Sequence, residues 1–180
     1  MNDSSNTKRA LAAALKRLLP EKPFVKIRIS EICDECGMNR KSFYYHFKDK
    51  YDLMNWIFDD EITEIMIKSM EKDIWAGFLI LCNYFYENRT YYKKVLKIEG
   101  QNSFYDHFRD VCTISFLSQV TDTSDEKSIS FQINLMSDIL VCSIKRWLLE
   151  KDCMSPTEFV SLLKHFVTTS SKKIVEGSKE

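Results

Sequence analysis

Apolar residues recur at steps of three and four through almost the whole chain, and only a few short stretches break the rhythm. Leu11, Leu15, Leu18 and Leu19, set among Ala10, Ala12, Ala13 and Ala14, predict a first helix over residues 8–19 that Pro20 and Pro23 end. Ile29, Ile32, Cys33 and Cys36 then share one face of a short helix, with Ser30 placed to cap it and Glu31, Asp34 and Glu35 turned outward. Gly37 follows where a helix C-terminus favours a residue tolerant of positive φ, and the Asn39 side chain can cap a new helix. In that helix Met38, Phe43 and Phe47 can pack inward, which leaves Arg40, Lys41, Ser42, Tyr44, Tyr45 and His46 on the opposite or flanking faces. Asp49 can cap the next helix, with Asp52 in its first turn.

The same spacing predicts a long helix over residues 50–71 carrying Leu53, Ile57, Ile62, Ile65 and Met66, and further helices over 74–87, 91–97, 104–120, 127–150 and 156–175. Ser155-Pro156-Thr157-Glu158 marks a helix start by a Ser cap, a Pro at the first helical position and a Glu completing a capping box. Residues 121–125 read as a polar loop. With only 4 Gly and 3 Pro and short β-branched runs, an all-α fold of about nine helices is expected.

Composition narrows the class. A chain of 180 residues with 44% hydrophobic content can bury substantial cores, which sets disorder aside. Net charge is zero but unevenly spread: residues 1–55 hold 11 Lys/Arg against 7 Asp/Glu, and the remainder holds 15 against 19. No stretch has the apolar length of a membrane span, and the first 16 residues lack a signal-peptide core, so a cytoplasmic location without membrane association is expected. The six cysteines are scattered, at 33, 36, 82, 112, 142 and 153. Cys33 and Cys36 form a C-x-x-C, but no second pair or paired His follows at zinc spacing; small packed side chains are expected rather than a metal or redox site.

A helix fits the major groove, and Arg, Lys, Ser and Tyr donors on its first turns can reach base edges or phosphates, so residues 40–46 have the make-up of a recognition helix. The run Gly37-Met38-Asn39-Arg40-Lys41-Ser42-Phe43-Tyr44-Tyr45-His46-Phe47, with Lys50 and Leu53 after it, resembles the helix-turn-helix signature of the TetR (tetracycline repressor) family. Ala10, Ala14, Leu15 and Leu18 resemble that family's first helix, and Ile29-Ser30-Glu31-Ile32 the start of its second. Two positions depart: Lys41 stands where a small residue is usual, and Asn39 where Ser or Thr is usual. The resemblance implies a three-helix DNA-binding domain over 1–50 and a helical effector and dimerisation domain over 51–180. It implies a double-stranded operator as partner, with Arg40, Lys41, Ser42 and Tyr45 at base edges, Ser30, Tyr44, His46 and Lys50 at phosphates, and Asn39 completing the DNA-facing set.

For the remainder, two readings stand side by side. Phe78, Phe85, Tyr92, Phe104, Phe108 and Phe116 belong to an aromatic concentration that is either an effector pocket or an ordinary core. Ile133, Met136, Leu140, Ile144 and Trp147 line one of the last two helices, and Phe159, Leu163 and Phe166 the other. The pair could cap a monomer core; under the resemblance it forms a homodimer interface, the reading favoured because a helix-turn-helix reader needs two half-sites. Residues 89–105, with Phe85 and Asn88 before them, resemble the effector region of a TetR subgroup that includes regulators of dihydroxyacetone kinase operons. That likeness leaves open whether a small molecule or a regulatory protein partner is sensed. The three histidines, His46, His107 and His165, have no Ser, Cys or carboxylate pattern that makes a nucleophile–base pair, Asp106 being a neighbour of His107 in sequence only, and no Gly-rich phosphate loop occurs, so neither enzyme nor cofactor is expected. The competing class is an all-α protein-interaction module without specific DNA binding.

Overall fold

The computed structural model describes residues 2–63, 69, 73–98, 100, 103–117 and 125–170, and all regular structure among them is helical. α1 (Asn2–Leu18) starts ahead of its apolar stripe, through a polar first stretch. A single 3₁₀ turn, Phe24–Lys26, leads to α2 (Ile29–Glu35) and α3 (Arg40–His46). α4 (Lys50–Phe58) continues as a π-helical turn, Asp59–Thr63, at the start of the stretch expected as one helix over 50–71. There follow α5 (Ile74–Glu87), α6 (Arg89–Val95), α7 (Phe104–Leu117), α8 (Glu126–Leu149) and α9 (Pro156–His165), the last extended by a π turn, Phe166–Ser170. Ile65, Met66, Glu71, Val120, residues 121–124, Ile174 and Val175 lie outside the described residues.

Local chemistry accounts for the helix ends. Asp49 Oδ1 accepts from the amides of Tyr51 and Asp52, Asp73 from Trp75, Asp125 from Lys127, and Ser155 Oγ from Glu158. α2 starts differently. Its N-cap is Arg28, whose amide donates to Glu31 Oε2 at 2.7 Å, so Ser30 sits inside the first turn and is not the cap.

α1 packs on α2, α3 and α4, while α5 packs on α6, α8 and α9, and α7 on α8. α4 belongs to both groups. Leu53, Met54 and Ile57 are buried in one continuous apolar cluster. Phe58, at the far end of α4, is surrounded by Phe85, Phe104 and Phe108 at centroid distances of 5.2–6.3 Å among the four rings. Among the described residues no helix is long and apolar enough to cross a membrane.

Candidate nucleic-acid interface

The turn between α2 and α3 is a Schellman motif. Met38 N–H donates to the Cys33 carbonyl at 2.9 Å and Gly37 N–H to that of Asp34 at 3.3 Å, with Gly37 at φ +68°. Asn39 restarts the chain: its Oδ1 accepts from the Ser42 amide at 2.8 Å and from the Ser42 hydroxyl at 3.2 Å. Phe43 and Phe47 are buried, as their spacing predicts. The C-x-x-C lies in the same packing: Cys33 is buried, the Cys36 thiol donates to the Ile32 carbonyl at 3.3 Å, and burial pushes both thiols up from their ordinary value.

α2 is held at both ends. At its C-terminus Arg17 of α1 pairs with Glu35, Nε to Oε1 at 2.7 Å, and also donates to the Glu35 carbonyl, a favourable place for a cation. At its N-terminus Lys22 pairs with Glu31. That bond, then the Arg28 amide, holds the Glu31 carboxyl below its usual value.

The outward face of α3 divides into engaged and free groups. Arg40 Nη2 donates to the Tyr44 hydroxyl at 3.4 Å and its guanidinium lies 5.8 Å from the Tyr44 ring centre, which raises the Arg40 pKa and presents the two as a unit. Lys41 is exposed and makes no hydrogen bond or ion pair with the described residues. Tyr45 is 82% exposed and meets the half-buried His46 edge-to-face at 4.8 Å. The Ser42 hydroxyl hydrogen is engaged at Asn39, which leaves its oxygen to accept.

Lys50 is engaged within the chain. Its ammonium donates to the carbonyls of Phe24, Val25 and Ile27 at 2.8, 3.0 and 2.8 Å and lies 4.9 Å from the Phe24 ring centre. Three donors meet three carbonyls, so no hydrogen is left for a phosphate. Burial lowers the Lys50 pKa against the pull of Asp49 and Glu31. Sequence reasoning passes over Arg28 and Lys48, both exposed at helix junctions beside α2 and α3; the positive balance of residues 1–55 is the signal that points to them.

In the larger group of helices the expected aromatic set separates. Phe85, Tyr92, Phe104 and Phe108 are fully buried against Phe58 and one another in the core. Phe78 and Phe116 instead line an apolar cleft of about 170 Å³ with Trp75, Met136, Leu140 and Leu163. The dimer set separates too. Ile133, Leu140, Ile144 and Trp147 are buried inside the chain, Trp147 stacked on the half-buried Phe159 at 4.6 Å with its indole N–H on the Met154 carbonyl. The exposed apolar face of α8 is a neighbouring stripe: Phe131, 67% exposed, with Leu135, Met136 and Ile139, continued on α9 by Leu162 and Phe166. Leu163 is half-buried at the cleft.

Residues 10–56 match the family described as bacterial regulatory proteins, tetR family, and residues 72–169 match a transcriptional regulator C-terminal region of the same group. The HTH-type dhaKLM operon transcriptional activator DhaS of Lactococcus lactis subsp. lactis (strain IL1403) is 26% identical over 129 residues, 71% of this chain and 67% of that protein. Among solved structures, the dihydroxyacetone kinase operon activator DhaS superposes with a TM-score of 0.64 at 19% identity, covering 90% of this chain and 96% of that one. A TetR transcriptional regulator from Streptococcus agalactiae 2603V gives 0.67 at 19% identity, covering 92% and 93%.

Proposed function

The chain belongs to the tetR family of bacterial regulatory proteins, and from that premise we propose that it binds a palindromic operator as a homodimer, under the control of its C-terminal helices. It is a transcription regulator with a helix-turn-helix DNA-binding domain and not an enzyme. The reading assigns residues 1–50 to DNA and 51–180 to regulation and dimerisation, in the cytoplasm where an operator is met. The observation that carries it is the face of α3: Lys41, Tyr45 and the Arg40–Tyr44 unit stand outward from a helix fixed at its start by Asn39.

Lys41, Tyr45, Arg40 and the Ser42 oxygen are assigned to base edges, and Tyr44 and His46 to phosphates, with Ser30 and Asn39 flanking them at the two helix starts. The unpaired stripe of α8 and α9 is assigned to the second copy, which would set two recognition helices about 34–36 Å apart on successive major-groove faces. Regulation of a dihydroxyacetone kinase operon is favoured by the likeness to DhaS. Control is assigned to a small molecule or a regulatory protein partner acting on the C-terminal helices, with the apolar cleft of about 170 Å³ as one place for the former.

Selection of duplexes from a random pool, followed by footprinting and sedimentation, tests the whole. Two protected half-sites one helical turn apart, bound by two copies, are expected; absence of salt-dependent DNA binding would refute it.

A further inference from the structure

Three consecutive acids, Asp59, Asp60 and Glu61, open the π turn that extends α4, and each reaches a different side chain. Asp59 Oδ1 lies 2.8 Å from His107 Nε2 on α7, and Asp60 Oδ2 accepts from Arg9 Nε on α1 at 3.2 Å. Glu61 receives Lys16 of α1 on both oxygens, 2.6 Å to Oε1, and the Tyr84 hydroxyl of α5 donates to its Oε2. Tyr92 of α6 in turn donates to the Tyr84 hydroxyl at 3.0 Å. A continuous polar line thus runs from α1, which carries α2 and α3, through Glu61 to the centre of the aromatic core.

Two features make this line more than a surface ornament. Tyr92 is fully buried, so a hydroxyl deprived of its acceptor there has no water to replace it, and the arrangement resists small displacements. Burial, then the Glu61 carboxylate, raise the Tyr84 pKa, which keeps its phenol a donor. A second link runs beside the first: Lys94 of α6 donates to the carbonyls of Leu19 and Pro20 at the end of α1. α6 therefore grips the end of α1 directly, not only through α4.

We infer that Glu61 and Tyr84 are positioning residues that join the DNA-reading head to the regulatory helices, so that a duplex held at α3 is felt at Tyr92 and a change around Tyr92 alters the hold on DNA. The inference deepens the DNA-binding reading and rests on it. Coupling between two sites is reciprocal, so it can be read from the DNA side without knowing what the regulatory helices sense.

The experiment is amide hydrogen exchange on the full chain, free and bound to a duplex selected from a random pool, for the wild type, Tyr84→Phe and Glu61→Gln. In the wild type the duplex slows exchange at α3 and, by roughly fivefold or more, at residues 84–92. Tyr84→Phe removes one hydroxyl and keeps the ring in the core, so the α3 protection persists while the distant protection falls below about twofold. Glu61→Gln does the same. Distant protection unchanged in both variants overturns the inference, as does a wild type protected at α3 alone. A wild type protected nowhere refutes the DNA-binding reading, and the coupling with it.

Discussion

The ammonium of Lys50, at the start of α4, donates to the carbonyl of Ile27 at 2.8 Å, across 23 residues of sequence, and pins the connector from which α2 rises. Together with the Phe24 and Val25 carbonyls this uses all three of its hydrogens. Lys50→Ala should therefore weaken binding to every duplex through misplacement of α2, lower stability by about 1–3 kcal/mol, and leave the salt dependence of binding unchanged. Anisotropy titrations across a range of salt concentrations decide the matter: a slope shallower by about 0.9 would mean that Lys50 meets a phosphate after all.

Lys41 should behave in the opposite way. It is exposed and unengaged on the face of α3, so Lys41→Ala should relax base preference at one operator position by about 1–3 kcal/mol. Competition between duplexes differing at single positions reads this, and an unchanged preference would remove Lys41 from the base-reading set.

Gly37 holds a φ of +68°, and a Cβ added there would meet nothing within 4 Å. The penalty for Gly37→Ala is then purely conformational, about 1–2 kcal/mol, while Gly37→Asn should cost less because asparagine tolerates the left-handed region. Urea unfolding of the two variants gives the comparison; equal losses would mean that the turn relaxes to another shape.

On α8, Leu135→Glu and Ile139→Glu alter exposed positions and should convert a dimer to monomers without unfolding the chain. Ile144→Ala, at a fully buried position, should instead cost about 2–5 kcal/mol of stability. Sedimentation combined with thermal melts separates the two. A Leu135→Glu protein that stays dimeric would place the interface elsewhere.

The clamp at the start of α2 has a definite pH sense. The folded Glu31 carboxyl is held below its ordinary value by Lys22 and the Arg28 amide. Its contribution is therefore complete above the ordinary glutamate value and is lost as pH falls through the lowered one. Acidification should free the Arg28 amide before the core melts, visible by NMR exchange at that amide, and Glu31→Gln should abolish the pH dependence.

The sequence discloses what is decided within a few residues. The Asn39, Asp49 and Ser155 caps, the Gly37 turn and the bounds of α5 all follow from local chemistry and spacing. It does not disclose what depends on partners far along the chain. Lys50 looks like a free cation until Phe24, Val25 and Ile27 are seen around it. On α8 the inward set, Ile133, Ser137, Leu140 and Ile144, and the outward set, Phe131, Leu135, Ile139 and Cys142, advance by the same steps of three and four. Periodicity alone cannot tell them apart. The inward set includes a serine whose hydroxyl is satisfied by the Ile133 carbonyl, which the rhythm passes over.

Phe58 sits at the end of α4 with its ring in the aromatic core, while the same helix packs on α1. A reading head transplanted onto another regulator by cutting after residue 50 would arrive without the helix that completes its own interior, and would leave its former body with a hole the size of a phenyl ring. Exchange of heads between such regulators is workable only where the graft carries α4 with it and the recipient offers a socket for that one ring.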